Sequence, residues 1–204
     1  MKVLAIESSA VTASVAIMTE DTLIAEYTIN YKKTHSQTLL PMIDEICRMT
    51  ENNAADCDLI AVSTGPGSFT GLRICASTGK GLALALDKPM VAVPTLEAMA
   101  YNFYGDDRII CPVMDARRAH LYSGLYRFKN GKLITVHEQC LISYGELAGI
   151  LNEVKEKVVF VGDGIEAAKD YFKDNLTCNY TFSPAGLRTQ RASSVALAAI
   201  DMSN

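Results

Sequence analysis

The chain has 204 residues, of which 49% are hydrophobic, and its formal net charge is −4. That length suits one domain or two small ones, and the acidic charge excludes a protein that binds nucleic acid by electrostatics alone. The six cysteines form no C-x-x-C pair, and the sequence shows neither a signal peptide nor an apolar run near the ~18 residues of a transmembrane helix. We therefore expect a cytoplasmic protein with reduced thiols and no membrane contact.

The first half of the chain alternates strands and helices. Short apolar or alternating runs, separated by polar turns, predict strands over residues 3–6, 10–18, 23–29, 59–63 and 90–93. One helix is predicted after Thr34 and Gln37, which have the spacing of a capping box. Two more are predicted, from the glycine-rich segment to about Leu86 and over residues 95–103.

The second half repeats this order. Strands are predicted over residues 109–115, 120–128, 132–137 and 158–161, with Asn130-Gly131 as a hairpin signal between the second and third. Ser143 and Glu146 form a capping box before a helix at 146–153. Further helices are predicted after Asp163 and over residues 191–202.

The order strand, strand, strand, helix, strand, helix thus occurs twice. Each copy starts with an apolar strand that ends in a carboxylate, Glu7 or Asp115. Two fused βββαβα units are the layout of the duplicated ribonuclease-H-like fold of acetate kinase, the heat-shock ATPases and actin. We therefore predict an α/β protein with one half over residues 1–104, a second over 105–190, and a last helix, 191–204, that packs back on the first half.

The segment from Ser63 to Arg73 is rich in glycine and lies between a predicted strand and a predicted helix. Loops of this kind often cradle an anion at the start of the helix. Residue 70 is threonine, however, so the segment matches neither the P-loop pattern nor G-x-G-x-x-G. Two interpretations stay open, an anion cradle and a tight turn that starts a helix.

In the duplicated fold, one turn from each half grips a nucleotide phosphate and a metal. Here these turns are Glu7-Ser8-Ser9 and Asp115-Ala116-Arg117-Arg118, and neither contains the glycine that leaves backbone N–H groups unobstructed. The two acids are either remnants of a metal pair or strand-end carboxylates that cap turns. Residues for a weak nucleotide site would be Glu7, Ser8, Gly65, Gly67, Asp115 and Arg117.

The helices at 35–48 and 71–86 are apolar on more of their surface than a half-domain needs to bury. They carry either an interface with another chain or a fuller internal core. The isolated histidines His35, His120 and His137 lack the spacing of metal ligands, and no catalytic triad can be picked out, so we predict no metal and no catalytic residue.

The motifs together resemble the bacterial TsaB (YeaZ) family, a subunit of the machinery that makes threonylcarbamoyladenosine in tRNA. The resemblance rests on Ile6-Glu7-Ser8-Ser9, His35-Ser36-Gln37, the segment from Gly65 to Arg73, and Pro94-Thr95-Leu96-Glu97-Ala98. It covers about residues 1–127 closely, with Met114-Asp115-Ala116-Arg117 extending it, and the remainder by layout.

The resemblance implies a non-catalytic paralogue of the enzyme TsaD, without a cofactor of its own. TsaD-like chains carry H-x-x-x-H metal ligands where this chain has Thr95 and Met99, which are poor ligands for such a metal. They also carry a Ser-Gly-Gly-His turn where this chain has the Asp115 turn. Both departures would remove active-site chemistry.

The resemblance also implies partners. The expected ones are a TsaD-like chain in a heterodimer, a second copy when the chain is alone, and a TsaE-like ATPase in the larger complex, with tRNA contacted only through that complex. The interface residues would be His35, Ser36, Leu39, Leu40, Ile43, Arg73, Ala76, Lys80 and Ala83.

The leading hypothesis is a scaffold that binds and activates a TsaD-like enzyme for modification of adenosine 37. The alternative is an enzyme of the same fold, either a weak nucleotide-binding phosphotransferase or a metalloprotease.

Overall fold

The structure is a computed structural model that describes residues 1–31 and 35–203. The predicted capping residue Thr34 lies outside these ranges. The chain divides into two compact units. The first comprises Met1–Tyr101 and the chain from Gln190 onward, and the second comprises Asn102–Thr189. In the part of the chain that the structure describes, no helix is long and apolar enough to span a membrane.

The secondary structure follows the predicted order, with one short strand at 180–182 and one short helix at 185–188 in addition to the predicted elements. The first unit contains β1 (Lys2–Glu7), β2 (Thr12–Thr19), β3 (Leu23–Asn30), α1 (His35–Thr50), β4 (Leu59–Ser63), α2 (Phe69–Leu86), β5 (Met90–Val93) and α3 (Thr95–Ala100). The second unit contains β6 (Ile109–Arg117), β7 (His120–Lys129), β8 (Lys132–Ser143), α4 (Tyr144–Val154), β9 (Val158–Val161), α5 (Gly164–Asn175), β10 (Tyr180–Phe182) and α6 (Ala185–Arg188). The last helix, α7 (Ala192–Ser203), belongs to the first unit.

Each unit is built on a five-stranded sheet with the same topology. The orders are β3-β2-β1-β4-β5 and β8-β7-β6-β9-β10. In both sheets the first three strands are antiparallel neighbours, and the fourth and fifth run parallel to the first. The two copies of a βββαβα unit, and with them the duplicated ribonuclease-H-like fold, are confirmed.

The core of the first unit fills the space between its sheet and two helices. Alternate residues of β1 and β4, such as Leu4 and Ile60, face Leu39 and Ile46 of α1 and Cys75 of α2. The other face of the sheet carries α7. The backbone N–H of Ala192 there donates to Ser14 Oγ (2.9 Å) and that of Ser193 to Glu26 Oε1 (2.8 Å).

The second unit has a comparable core, in which β6 and β9 pack against α4 and α5. Its centre is aromatic, because Phe160 stacks on Phe172 with a centroid distance of 4.8 Å. Ser143 caps α4 in a complete capping box with Glu146, as predicted. Asn130 and Gly131 both have positive φ in the turn between β7 and β8, which confirms the hairpin.

Candidate functional site

The turn after β1 is the first of the two predicted phosphate turns, and it is buried. Glu7 is only 1% exposed, and its Oε1 accepts a hydrogen bond from the backbone N–H of Ser9. Burial raises the pKa of the Glu7 carboxyl above its ordinary value, while hydrogen bonds with Ser9 and Ser63 act in the opposite direction. A carboxylate in this position would repel a phosphate that entered the turn.

The glycine-rich segment lies directly on this turn. The N–H of Ser68 donates to Ser9 O (2.6 Å), and Ser8 Oγ donates to Gly71 O (3.0 Å). A Cβ atom at Gly67 would stand 2.3 Å from Ser9 O, and one at Gly71 would stand 2.1 Å from Ser8 O. Glycine is therefore required here because two stretches of backbone meet, and no space for an anion separates them.

Gly65 and Ser68 of this segment also make internal contacts. The N–H of Gly65 donates to Thr95 Oγ1 (3.1 Å), and the N–H of Thr95 donates back to Gly65 O (2.8 Å). Ser68 caps α2, its side chain accepting from the N–H of Gly71. The sequence left open whether this segment cradles an anion or forms a tight turn. In the structure, the segment makes the contacts of a tight turn that anchors α2.

The turn between β6 and β7 is the second predicted phosphate turn, and it is open. Asp115 Oδ1 accepts from the N–H of Arg117 (2.8 Å), and Asp115 Oδ2 pairs with the Arg117 guanidinium (3.3 Å). The Arg117 side chain is 87% exposed. Arg117, Arg118 and Ala119 have φ values of +69°, +53° and +57°, a conformation that costs about 1–2 kcal/mol for each non-glycine residue.

Asp163 is a second carboxylate near this turn. The pKa of Asp163 is raised, first by desolvation of the carboxyl and then by repulsion from Asp115. Because much of the residue is nevertheless exposed, solvent screening keeps the energetic cost small. Within residues 1–31 and 35–203, no group of three or more His, Cys, Asp or Glu side chains is placed to hold a metal ion.

The helix α1 exposes only some of the predicted interface residues. Leu39 and Ile43 lie in the core of the first unit, so the expectation that they contact a partner is corrected. Ser36 and Leu40 are exposed, and His35 is half-buried, its Nε2 hydrogen-bonded to Ala10 O (2.8 Å). Sequence periodicity marked the apolar side of α1 but did not show that this side faces the sheet.

The helix α2 presents a continuous stripe to solvent. Phe69 and Leu84 at its two ends are 73% and 86% exposed. Of the four predicted interface residues on α2, Arg73 and Lys80 lie on the stripe, whereas Ala76 and Ala83 are half-buried beside it. The guanidinium of Arg73 stands over the Phe69 ring at 5.3 Å. The exposed residues follow helical spacing: Phe69, Thr70, Arg73, Ser77, Lys80, Gly81, Leu84 and Ala85.

The predicted interface set omitted six residues of this stripe: Phe69, Thr70, Ser77, Gly81, Leu84 and Ala85. Steps of three and four residues from Arg73 lead to each of them, so the signal was present. Leu40 and Met49 add exposed apolar surface on α1, which packs beside α2.

Comparisons with known proteins find similarity to TsaD and TsaB proteins. The model of the family TsaD, tRNA N6-adenosine threonylcarbamoyltransferase, matches residues 22–202. The tRNA threonylcarbamoyladenosine biosynthesis protein TsaB of Bacillus subtilis is 36% identical over 196 residues, which are 96% of this chain and 86% of the relative. The TsaB of Escherichia coli is 30% identical over 86% of this chain and 77% of the relative.

A solved structure supports the fold. YeaZ from Pseudomonas aeruginosa superposes with a TM-score of 0.83 and 24% sequence identity. The superposition covers 99% of this chain and 92% of that one. The similarity therefore extends through both units, including the part of the second unit where motifs were sparse.

Proposed function

The chain belongs to the TsaB family of tRNA threonylcarbamoyladenosine biosynthesis proteins, and we propose that it acts there as a non-catalytic subunit. In this role α1 and α2 bind a TsaD-like paralogue, and the contact holds that partner in its active arrangement. The observation that carries the proposal is the exposed stripe of α2, with Phe69 and Leu84 at its ends. The exposed apolar side chains of Phe69 and Leu84 cost free energy in water, and association with another chain would recover it.

The shape of the stripe favours a helix as its counterpart. Its middle is small or flexible, with Ser77 and Gly81 between the larger ends. A Cβ atom built at Gly81 would meet no atom within 4 Å, so a neighbouring helix could approach the backbone closely. Arg73 and Lys80 supply the polar contacts found at the rim of an interface.

The packing at the candidate active-site positions supports a non-catalytic role for this subunit. The turn at Glu7 is covered by the glycine-rich segment. Thr95 is fully buried and accepts a hydrogen bond from Gly65 N, and Met99 is in the core. These two residues stand where TsaD-like chains would place metal ligands, and both are engaged in packing.

In the absence of the TsaD-like partner, we propose that the same stripe pairs with a second copy of the chain. The homodimer and the heterodimer would then exclude one another. A TsaE-like ATPase and tRNA would join only the assembled complex, and no cofactor would bind this subunit.

Leu84→Asp tests the proposal, because a side chain that is 86% exposed can be changed without loss of core packing. We expect at least a tenfold weaker affinity for the TsaD-like partner, about 1.4 kcal/mol, measured by calorimetry. The level of threonylcarbamoyladenosine in tRNA, measured by mass spectrometry, should fall with it.

Leu141→Asp is the matched control, since Leu141 is an exposed leucine on β8 of the other unit. It should leave partner affinity and tRNA modification unchanged. Full affinity in Leu84→Asp, or an equal loss in Leu141→Asp, would show that α2 is not the contact.

A further inference from the structure

A row of lysines lies along the edge of the second unit's sheet at which β7 ends and β8, β6 and β9 begin. Lys129 and Lys132 face each other across the hairpin between β7 and β8. At the start of β6, the N–H of Ile109 donates to Lys157 O (2.9 Å), which places the segment 155–157 at the same edge. Since neighbouring strands are about 4.8 Å apart, the row from β8 to β9 spans roughly 15 Å. Lys129, Lys132, Lys155 and Lys157 are all exposed.

The acids at this edge are largely neutralised by local partners. Glu156 accepts from Arg127 (2.6 Å), and Asp106 pairs with Arg108. Residues 104–108, 127–132 and 155–157 contain six Lys or Arg and three Asp or Glu, whereas the whole chain has 19 and 23. A basic edge on an acidic protein indicates a local site for a negatively charged partner.

An aromatic ring and a groove accompany the lysines. Tyr104 is 57% exposed, its ring lies 5.0 Å from that of Phe128, and its hydroxyl reaches the hairpin at Gly131. An open groove of about 530 Å³ adjoins Lys155 and Lys157. Asn152 holds its wall in place, because its Oδ1 accepts from the N–H of Thr177 (2.8 Å).

We infer that this edge is an RNA-contact surface, and the inference rests on the proposed function in a tRNA-modifying complex. The lysines bind backbone phosphates, and the exposed face of Tyr104 stacks on a base. RNA offers both a row of phosphates for the lysines and base faces for the exposed Tyr104 ring. Because the whole chain is acidic, the edge contributes to a binding site that the other subunits complete.

The test uses the assembled complex and an unmodified tRNA transcript. Lys129, Lys132, Lys155 and Lys157 are changed together to Gln, and the dissociation constant is measured by fluorescence anisotropy across a salt series. Each lost phosphate contact lowers the slope of log affinity against log salt by about 0.7–0.9, so the slope should fall by roughly 3. Affinity near 0.1 M salt should fall roughly 10- to 100-fold.

Two variants separate charge from stacking. Lys169→Gln with Lys173→Gln is the matched control, since both lysines belong to the same unit but pair with acids on α5; it should leave affinity and slope unchanged. Tyr104→Leu keeps an apolar contact with Phe128 but removes the stacking ring. It should weaken binding about 5- to 10-fold with an unchanged slope.

Three results would overturn the inference. The first is an unchanged RNA affinity in the four-lysine variant. The second is an equal loss of affinity in the Lys169 and Lys173 control. The third is a four-lysine variant that loses a protein subunit but still binds RNA, which would make the edge a protein contact. Assembly is checked separately by size-exclusion chromatography, so a failure of the proposed function is seen on its own. If the chain does not assemble with a TsaD-like partner, ultraviolet crosslinking of the isolated chain to RNA at low salt still tests the edge. A crosslink away from Tyr104 would reject the RNA-contact surface.

Discussion

The turns after β1 and β6 occupy the same place in the two units but have opposite environments. Glu7 is buried beneath the glycine-rich segment, whereas Asp115 lies beside an arginine whose side chain is 87% exposed. In the sequence both turns follow an apolar run that ends in a carboxylate, but in the structure β6 continues past Asp115 to Arg117. The repeated topology therefore does not preserve a repeated site.

The length of one loop explains the difference. Five residues, 64–68, connect β4 to α2, while two residues, 162–163, connect β9 to α5. The longer loop reaches over the first turn, where the N–H of Ser68 donates to Ser9 O, and the first turn of α2 continues the contact through Ser8 Oγ and Gly71 O. In the second unit, a Cβ at Gly164 would instead meet Val113 within the strand. The same fold can thus hold one turn covered and the other exposed.

The contact between loop and turn can be broken with one methyl group. Gly71→Ala would place a Cβ atom 2.1 Å from Ser8 O, and because that oxygen is a backbone atom, either the turn after β1 or α2 must shift. We expect a loss of about 3 kcal/mol in the free energy of unfolding, measured in urea. Binding of the partner should weaken as well, since α2 begins at this contact.

Gly81→Ala is the matched control on the same helix. Its added Cβ would meet no atom within 4 Å, so higher helix propensity should raise stability by up to about 1 kcal/mol. If Gly71→Ala were as stable as the wild type, the glycine-rich segment would not be packed on the turn.

Much of this arrangement could be predicted from sequence, and the failures have physical causes. The bounds of β4, β5 and β9 agree with the sequence patterns, because short apolar runs between turn residues are unambiguous. The strand β8 was predicted to end at His137 but continues to Ser143, since irregular pairing with β7 interrupts its alternation. The three-residue strand β10 was missed because it is too short to show a period.

The environment of a side chain was harder to predict than its element. Leu39 and Ile43 were correctly placed on a helix, but only the packed structure shows that they face the sheet. The two turns looked alike in sequence, and a loop contact distant in the chain makes one buried and leaves the other open.

The burial of Glu7 makes a prediction about pH. Its pKa is raised above 4.5 in the folded state, so the stability that Glu7 contributes is complete below pH 4.5 and is lost as pH rises through the raised value. Glu7→Gln keeps the shape and removes the titration. The unfolding free energy of the wild type, minus that of the variant, should fall with pH by about 1.4 kcal/mol for each unit of pKa elevation.

Glu146→Gln provides a control with the opposite sign. Hydrogen bonds from Ser143 lower the pKa of Glu146, so its contribution is present above pH 4.5 and is lost as pH falls through the lowered value. Urea unfolding at several pH values measures both variants. A pH-independent difference for Glu7→Gln would mean that Glu7 is solvated like an ordinary carboxylate.

The open turn of the second unit should become more stable when its backbone strain is relieved. Ala119 has φ +57°, whereas no residue within 1–31 has a positive φ, so this strain has no counterpart in the first turn. Ala119→Gly should raise the free energy of unfolding by about 1 kcal/mol, because glycine adopts this conformation without a Cβ clash. Ala167→Gly, in the regular helix α5, should lower it by about as much.

If both variants lost stability equally, the turn would carry no strain, and the exposure of Arg117 would follow from the short 162–163 loop alone. A gain confined to Ala119→Gly would show that the second unit gives up stability to hold Arg117 and Arg118 in an exposed turn, whereas the turn after β1 is buried.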